Sequence, residues 1–248
     1  MVEKSEKCIK KGGKLSAREL KGLIDKSYEK TNTDFGDWKV DPSLSDHEVK
    51  VFTHDKTGKT AVVHRGTASM NDWYIDSLYA RGKDITNTRR YKHSADIQKR
   101  AEEKYGSANV TTVGHSLGKK LAEVGKNSHE IIGLNGATNI TDALKPTADN
   151  EFNVRSSVDG VSALLAPKSK NVLTIPSASF NPLTEHATGI LDRVDPDTMI
   201  GRGHIAKLPK KHLKSLIKGL PKKKGEKFNI TGKSKKDLVD YCCDACGL

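Results

Sequence analysis

The pentapeptide Gly-His-Ser-Leu-Gly at positions 114–118 constrains the fold of this chain more than any other feature, because it places Ser116 between two glycines. A serine on a sharp turn from a strand into a helix brings the neighbouring backbones so close that a β-carbon at either flanking position would clash. Such a turn also leaves the serine hydroxyl accessible as a nucleophile. The pentapeptide therefore predicts a buried strand before Ser116 and a helix directly after it.

Both flanks of the pentapeptide have the expected pattern. Residues 109–113 are β-branched and apolar apart from the first, as in a central strand. Leu117, Leu121 and Val124 then recur at helical spacing before Gly125 ends the run. A chance occurrence of Gly-x-Ser-x-Gly would not bring these flanks, so we interpret Ser116 as a candidate nucleophile.

The rest of the chain up to about residue 200 alternates β-rich runs with helical patterns. A helix is predicted from Leu15 to Lys30, with Ser16 as its N-cap, and another from Arg90 to Tyr105. Strands are predicted at 48–52, 60–64, 130–134, 152–156 and 171–175, the first two as a hairpin. This alternation predicts the α/β class, with a mostly parallel central sheet flanked by helices.

Positive charge is concentrated at the C-terminal end of the chain. The formal net charge is +12, and residues 207–248 hold 12 lysines against four acidic residues. Pro209, Pro221 and several glycines divide this segment into short pieces. We predict a domain at 1–206 and a lysine-rich linker with a short C-terminal helix at 207–248. Such a basic extension binds anionic membranes or nucleic acid, or is simply solvated.

The composition limits the compartment and the cofactors. No run approaches the roughly 18 apolar residues of a membrane-spanning helix, and Met1 to Lys14 lacks the apolar stretch of a secretory signal. Three of the four cysteines, Cys242, Cys243 and Cys246, crowd the last seven residues, which suits neither a disulfide framework nor a complete zinc site. We therefore expect a cytoplasmic protein that needs no metal and no organic cofactor.

A second motif carries a family resemblance. The His-Arg-Gly-Thr at 64–67, followed by Asp72-Trp73 and Asp76, resembles the Arg-Gly-Thr strand end and Asp-Trp-x-x-Asp segment of the class 3 lipases, the fungal lipase-like family of α/β-hydrolases. The chain also resembles compact lipase-like proteins of large DNA viruses, which have lysine-rich ends. The resemblance implies an α/β-hydrolase-like fold and hydrolysis of lipid or other carboxylic esters, in host cytoplasm or virion if the protein is viral.

The resemblance also implies residues around the nucleophile. Attack by Ser116 on an ester creates an oxyanion, and the backbone N–H of the next residue, Leu117, is one donor to it. By family analogy the second donor is the backbone N–H of Thr67. In the family the following segment forms a lid. That segment here holds an apolar set that would face an acyl chain or pack as a plain amphipathic helix. The set comprises Met70, Trp73 and Tyr74.

A nucleophilic serine of this fold requires a carboxylate and then a histidine later in the chain. Asp159 follows a predicted strand and resembles the family's Asp-x-Val segment, whereas Asp142 and Asp149 lie in polar sequence and are interpreted as solvated turn residues. His186 and His204 both satisfy the chain order. We favour His186, because it is predicted to begin a helix near the end of a strand, whereas His204 lies between glycine-rich neighbours.

Three further residues near the nucleophile are open to interpretation. His115 is expected to pack or hydrogen-bond beneath the site. Lys119 and Lys120 stand where the family commonly has a small residue, and they either favour an anionic substrate such as a phospholipid or point into solvent. Two functions remain open at this point: a serine-dependent ester hydrolase, and a catalytically inactive hydrolase-fold protein that acts as a binding or virion component.

Overall fold

The computed structural model describes residues 15–68, 79–144, 148–165 and 171–201, together with 234, 237 and 238. The strands are β1 (Leu15–Ser16), β2 (Trp38–Val40), β3 (Val49–His54), β4 (Thr60–His64), β5 (Val110–His115), β6 (Glu130–Leu134), β7 (Glu151–Ser156), β8 (Val172–Ile175) and β9 (Met199–Ile200). The α-helices are α1 (Ala17–Tyr28), α2 (Arg89–Tyr105), α3 (Leu117–Ala122), α4 (Ile140–Ala143) and α5 (Pro182–His186). Short 3-10 helices lie at Ser107–Asn109, Ala163–Leu165 and Thr188–Arg193.

A seven-stranded sheet forms the centre of the fold, in the order β2-β3-β4-β5-β6-β7-β8. The strands β2, β3 and β4 are antiparallel neighbours, whereas β4 to β8 run parallel. The C-terminal ends of the parallel strands therefore lie on the same side of the sheet. The segment after β5, which contains Ser116, begins on that side. The predicted α/β class with a mostly parallel central sheet is confirmed.

Helices cover both faces of this sheet. Successive side chains of a strand point to opposite faces, so Val51 and Phe52 in β3 belong to different layers. Phe52 and Val63 pack in one core cluster with the apolar side chains of α1. Val51 and Val62 pack in another with Ile97 of α2. Strands covered on both faces are buried throughout, as β4, β5 and β6 are here, and this accounts for the largely apolar pattern that predicted these three.

Helix α1 begins where the sequence indicated. The hydroxyl of Ser16 accepts a hydrogen bond from the Glu19 amide at 3.2 Å, and the Glu19 carboxylate accepts one from the Ser16 amide at 2.7 Å. This reciprocal capping box satisfies two amides that the first helical turn leaves without partners. The Ser16 N-cap is confirmed, but the predicted bounds Leu15 to Lys30 were too wide. Leu15 and Ser16 are extended and pair with Met199–Ile200, and α1 ends at Tyr28.

The edge of the sheet is where prediction was least complete. The predicted hairpin is present, but β3 extends to His54, and the edge strand β2 was not predicted at all. Three residues are too few to show an alternating pattern, so Trp38–Val40 is recognised as a strand only from its pairing with β3.

Most of the segment 207–248, and the predicted boundary at residue 206, lie outside the described residues. Within the segment, the Ser234 hydroxyl accepts from the Asp237 amide at 3.1 Å, the Ser234 amide donates to the Asp237 carboxylate at 3.0 Å, and Leu238 is buried. Such a pair is typical of a helix start. The division at residue 206 and the short C-terminal helix stay predictions from the sequence. Across the part of the chain that the structure describes, no helix is both long and apolar enough to span a bilayer.

A buried histidine makes the stability of the fold dependent on pH. The side chain of His64 is fully buried, with Nε2 at 3.2 Å from Oε1 of Gln98. Burial lowers the pKa of His64 from 6.5 to about 4, so the unfolded chain takes up a proton in this interval while the folded protein does not. We expect the free energy of unfolding to decrease as the pH falls through this interval, by at most about 3 kcal/mol from His64.

Urea unfolding across this pH interval measures the effect. The variant His64→Gln keeps an amide that can bond to Gln98 and should reduce this part of the pH dependence, with the contribution of the buried His115 remaining. His47→Gln is the matched control, because the side chain of His47 is 67% exposed and its removal should leave the dependence unchanged. An equal pH dependence in His64→Gln and the parent protein would contradict the prediction.

Candidate active site

The turn at Ser116 has the close backbone approach that its flanking glycines predict. Ser116 lies between β5 and α3 with φ 57° and ψ −130°, a conformation that non-glycine residues rarely adopt. A β-carbon at Gly114 would lie 2.3 Å from the carbonyl oxygen of Gly118, and one at Gly118 would lie 2.1 Å from that of His64. Both contacts are far inside van der Waals distance, so the two positions require glycine.

The structure brings Ser116, His186 and Asp159 together in one hydrogen-bonded row. Nε2 of His186 lies 2.9 Å from Oγ of Ser116, and Nδ1 of His186 lies 2.9 Å from Oδ1 of Asp159. An ionised carboxylate only accepts hydrogen bonds, so Nδ1 carries the imidazole proton and Nε2 is left to accept from the serine hydroxyl. This is the geometry that a general base requires next to a nucleophile.

Asp159 is held as a buried carboxylate behind the imidazole. Its Oδ2 accepts from the amide of Ser162 at 3.0 Å and from the hydroxyl of the same residue. Arg155 donates to the carbonyl oxygen of Asp159 at 3.1 Å and to Oγ of Ser162 at 3.2 Å. Burial raises the pKa of Asp159, but the hydrogen bonds from His186 and Ser162 outweigh it, and the pKa lies below its ordinary value. The carboxylate therefore stays charged at neutral pH.

The mounting of His186 differs from the prediction. His186 is the last residue of α5 and does not begin a helix. It is held instead by its neighbour Glu185, whose buried carboxylate accepts two hydrogen bonds from Arg193 at 2.7 Å each, one from the Ser179 amide at 2.9 Å and one from the Ser156 hydroxyl. The hydrogen bonds from Arg193 and then Ser156 lower the pKa of Glu185. An ion pair between the buried Glu185 and the partly exposed Arg193 thus anchors the segment that carries the imidazole.

Asn135 is a second anchor that the sequence analysis did not identify. Its backbone has φ 45° and its side chain is buried. Nδ2 donates to the carbonyl oxygens of Glu185 at 3.0 Å and His186 at 2.9 Å, while Oδ1 accepts from the Ser156 amide at 2.9 Å. One amide side chain therefore fixes the end of β7 and the His186 segment together. The only sequence signal is its position, a lone asparagine between a buried strand and Gly136.

The two predicted oxyanion donors lie in segments that border the nucleophile. Leu117 is the first residue of α3 and is buried. Thr67 follows Gly66, where a β-carbon would lie 2.9 Å from Cβ of Ser116. The backbone just before Thr67 therefore packs directly against the nucleophile. Position 66 requires glycine because a β-carbon there would also lie 2.6 Å from the carbonyl oxygen of His115.

A buried arginine holds the backbone at the start of this turn. Nη2 of Arg90 donates to the carbonyl oxygen of Arg65 at 2.8 Å, and Nη1 lies 3.2 Å from the buried carboxylate of Glu48. Helix α2 therefore fixes the strand end from which the Gly66-Thr67 turn departs.

Four predicted site residues lie outside the part of the chain that the structure describes. They are the lid residues Met70, Trp73 and Tyr74, and the alternative base His204. Among the described residues, no three His, Cys, Asp or Glu side chains are grouped so as to hold a metal ion.

The interpretation that Lys119 and Lys120, directly after the Ser116 turn, point into solvent was wrong. Nζ of Lys119 lies 3.0 Å from Glu123 and 2.9 Å from Glu151, and Nζ of Lys120 lies 2.6 Å from Glu123 and 2.8 Å from Asp142. Burial lowers the pKa of Lys119, but the two carboxylates more than compensate, so the pKa lies above its ordinary value. Neither lysine points into solvent or offers an unpaired positive charge to an anionic substrate.

The ion pair between Lys120 and Asp142 shows that the interpretation of Asp142 as a solvated turn residue was wrong. Its side chain is only 12% exposed and also accepts a hydrogen bond from the Tyr79 hydroxyl at 2.8 Å. The partners of Asp142 come from segments more than 20 residues away, so local polarity could not reveal them. Asp149, by contrast, is exposed as expected.

A central parallel strand that turns sharply through a serine into a helix defines an α/β-hydrolase fold. Comparison with solved structures finds fungal lipases, among them a triacylglycerol lipase from Penicillium expansum (20% identity, 64% of this chain and 77% of that chain, TM-score 0.42). Lip2 lipase from Yarrowia lipolytica has 16% identity over 67% of this chain and 80% of its own, with a TM-score of 0.40.

A fungal lipase in an inhibitor complex has 17% identity over 55% of this chain and 68% of its own, with a TM-score of 0.39. No protein-family model matches the sequence, and no curated protein is significantly similar to it. At these identities and TM-scores the similarities do not bear on activity.

The Asn135 anchor can be tested with Asn135→Asp. Aspartate has the same shape but cannot donate, so the carbonyl oxygens of Glu185 and His186 would lose a donor and face a negative charge. We expect the free energy of unfolding to fall by about 2–4 kcal/mol. Asn150→Asp is the matched control, because Asn150 also donates to two carbonyl oxygens but lies nearer the surface. Equal losses in urea unfolding would contradict a special role for Asn135.

The buried ion pair of Lys119 leads to a second stability prediction. Lys119→Met keeps most of the side-chain volume but leaves Glu151 buried without its cation, so we expect a loss of about 3–5 kcal/mol in the free energy of unfolding. Lys99→Met removes a lysine that is 75% exposed and 3.8 Å from Glu103, and it should change stability by less than about 0.5 kcal/mol. A similar, small change in both variants at neutral pH would refute the assignment.

Proposed function

We propose that the protein is a serine-dependent carboxylic ester hydrolase of the lipase or phospholipase-like kind. The observation that carries this proposal is the row of Ser116, His186 and Asp159, with 2.9 Å at each of its two hydrogen bonds. The strained φ of Ser116 and the charged state of Asp159 support it, since strain at a polar residue and perturbed pKa values concentrate at functional sites. The proposed chemistry uses no metal or organic cofactor.

The reaction would proceed by acyl transfer in two steps. Ser116 Oγ attacks the ester carbonyl as its proton passes to Nε2 of His186, and the imidazolium then returns the proton to the leaving alcohol. Asp159 orients the ring through Nδ1 and stabilises its positive charge without taking the proton. Water, activated by the same histidine, then hydrolyses the acyl-enzyme. The N–H groups of Leu117 and Thr67 are the proposed donors to the oxyanion of each tetrahedral intermediate.

Exposed apolar side chains that follow the C-terminal ends of the parallel strands support a lipid ester as the substrate. In the described part of the chain, all of the exposed large hydrophobic side chains lie in segments that follow β6, β7 or β8. These side chains are Ile140, Leu144, Val158, Val161, Leu164, Phe180 and Leu183. Apolar surface of this kind binds acyl chains or lipid surfaces.

The lid role of Met70, Trp73 and Tyr74 stays a prediction from the sequence. Because Lys119 and Lys120 both form ion pairs with carboxylates, the positive charge next to the Ser116 turn does not argue for an anionic head group. An anionic membrane or nucleic acid as the partner of the segment 207–248, and a cytoplasmic location, stay predictions from the sequence.

Reaction with a fluorophosphonate probe tests the nucleophile. The folded parent protein should be labelled covalently, and Ser116→Ala should lose the label, because the probe phosphonylates only an activated serine. Ser43→Ala is the matched control, since it removes an exposed serine whose hydroxyl donates to Asp41, and it should leave Ser116 labelled. A folded parent protein that is not labelled would instead favour the inactive binding protein.

The assignment of the base is tested by turnover of a short-chain nitrophenyl ester. We expect His186→Ala to lower kcat by about 10⁴–10⁶-fold, as loss of a triad member does elsewhere, and His204→Ala to retain the parent rate. Full turnover in His186→Ala, or its loss in His204→Ala alone, would move the role to His204.

A further inference from the structure

Beneath Ser116, a chain of hydrogen bonds joins four segments that are far apart in the sequence. The amide of Gly66 donates to Oη of Tyr28 at 3.1 Å. Gly66 and the proposed oxyanion donor Thr67 form the turn that we call the oxyanion turn. Oη of Tyr28, at the end of α1, lies 2.8 Å from Nδ1 of His115. Nε2 of His115 lies 2.9 Å from the carbonyl oxygen of His186. This row of hydrogen bonds therefore links Gly66, next to the proposed oxyanion donor Thr67, to the main chain of the proposed base His186.

The amide of Gly66 can only donate and the carbonyl oxygen of His186 can only accept, so the donor of each hydrogen bond in this row can be assigned. A carbonyl oxygen can only accept, so Nε2 of His115 must carry the ring proton that it donates to His186. In a neutral imidazole the other nitrogen is then an acceptor, so Tyr28 donates its hydroxyl proton to Nδ1. Burial keeps His115 neutral, because it lowers the pKa of this histidine to about 4. The oxygen of Tyr28 remains able to accept from the Gly66 amide.

Tyr28 has little space in which to be replaced by water or by a rearranged neighbour. A β-carbon at Gly66 would lie 2.6 Å from Oη of Tyr28, so turn and hydroxyl are in direct contact. The rings of Tyr28 and His115 meet edge to face, with centroids 5.8 Å apart and planes at 74°. The His115 ring is in turn 5.2 Å from that of His186. One hydroxyl thus separates the oxyanion turn from the imidazole that supports the base.

We infer that Tyr28 is a positioning residue for the proposed hydrolysis, setting the spacing between the Gly66-Thr67 turn and His186 through the Nε2-protonated tautomer of His115. The inference rests on the proposed function, and Tyr28 touches none of the reacting atoms. The spacing matters because oxyanion donors and base act on opposite sides of one reacting carbonyl, and a displacement of about 1 Å costs up to about 100-fold in rate.

Tyr28→Phe is the direct test, because it keeps the ring and removes only the hydroxyl. We expect kcat for ester turnover to fall by at least about tenfold with KM within about twofold of the parent value, as when an interaction made in the transition state is lost. Tyr105→Phe is the matched control. Tyr105 also donates its hydroxyl to a partner, at 2.7 Å to Asp41. It ends α2 and precedes β5, whereas Ser116 follows the last residue of that strand, which is roughly 20 Å long.

The control separates positioning from stability. Both tyrosine variants lose one hydrogen-bonding hydroxyl and should lose similar free energies of unfolding, but only Tyr28→Phe should lose kcat. Equal kcat values in the two variants would overturn the inference while leaving Ser116 reactive towards the fluorophosphonate, so the proposed function would stand.

A measurement of the His115 ring does not depend on activity. In ¹⁵N-labelled protein, the two ring nitrogens of His115 should show the Nε2-protonated tautomer with Nδ1 as a hydrogen-bond acceptor, and the Nδ1 resonance should shift in Tyr28→Phe. An Nδ1-protonated tautomer in the parent protein overturns the inference even if Tyr28→Phe does not fold. A parent protein with the expected tautomer but no reactivity at Ser116 overturns the proposed function and, with it, the positioning role of Tyr28.

Discussion

The close approach of three backbones around Ser116 is the constraint on which the site depends. The end of β4, the end of β5 and the start of α3 come so near one another that Gly114 and Gly118 leave no room for a β-carbon. Ser116 then adopts a positive φ, which costs on the order of 1–3 kcal/mol for such a residue. The burial of apolar side chains on both faces of the surrounding sheet stabilises the fold and offsets this cost.

The segments that face Ser116 are held by buried polar groups whose partners come from other elements. Asn135, also at positive φ, binds the carbonyl oxygens of Glu185 and His186, and Glu185 is neutralised by Arg193. Hydrogen bonds and ion pairs are strong in a dry interior, but a buried group that lacks a partner is costly. This makes the arrangement specific, because any shift of the His186 segment would leave several polar groups unpaired at once.

Much of the fold and of the candidate site was predictable, because it depends on local properties. The strands β4, β5, β6 and β8 were recognisable from runs rich in apolar and β-branched residues, and β7 from the alternation of Phe152 and Val154 with polar residues. The Ser16 cap was recognisable because its hydrogen bonds lie within one turn. Asp159 and His186 were selected from chain order and neighbouring strands, and they lie within hydrogen-bonding distance of each other. Their catalytic roles are a proposal. What failed was also local in origin: β2 is too short to show a pattern, and His186 ends a helix because α5 begins at Pro182.

By itself the sequence determined the class of fold, the strained turn at Ser116 and the order of the candidate residues, since sterics and periodicity act between near neighbours in the chain. Only the tertiary structure decided what Lys119, Asp142 and Asn135 do, because a charge or an amide takes its role from whichever partner the fold brings to it. The same holds for Tyr28. Nothing near it in the chain marks it as special, and its hydroxyl reaches the site only because α1 packs across the end of β5.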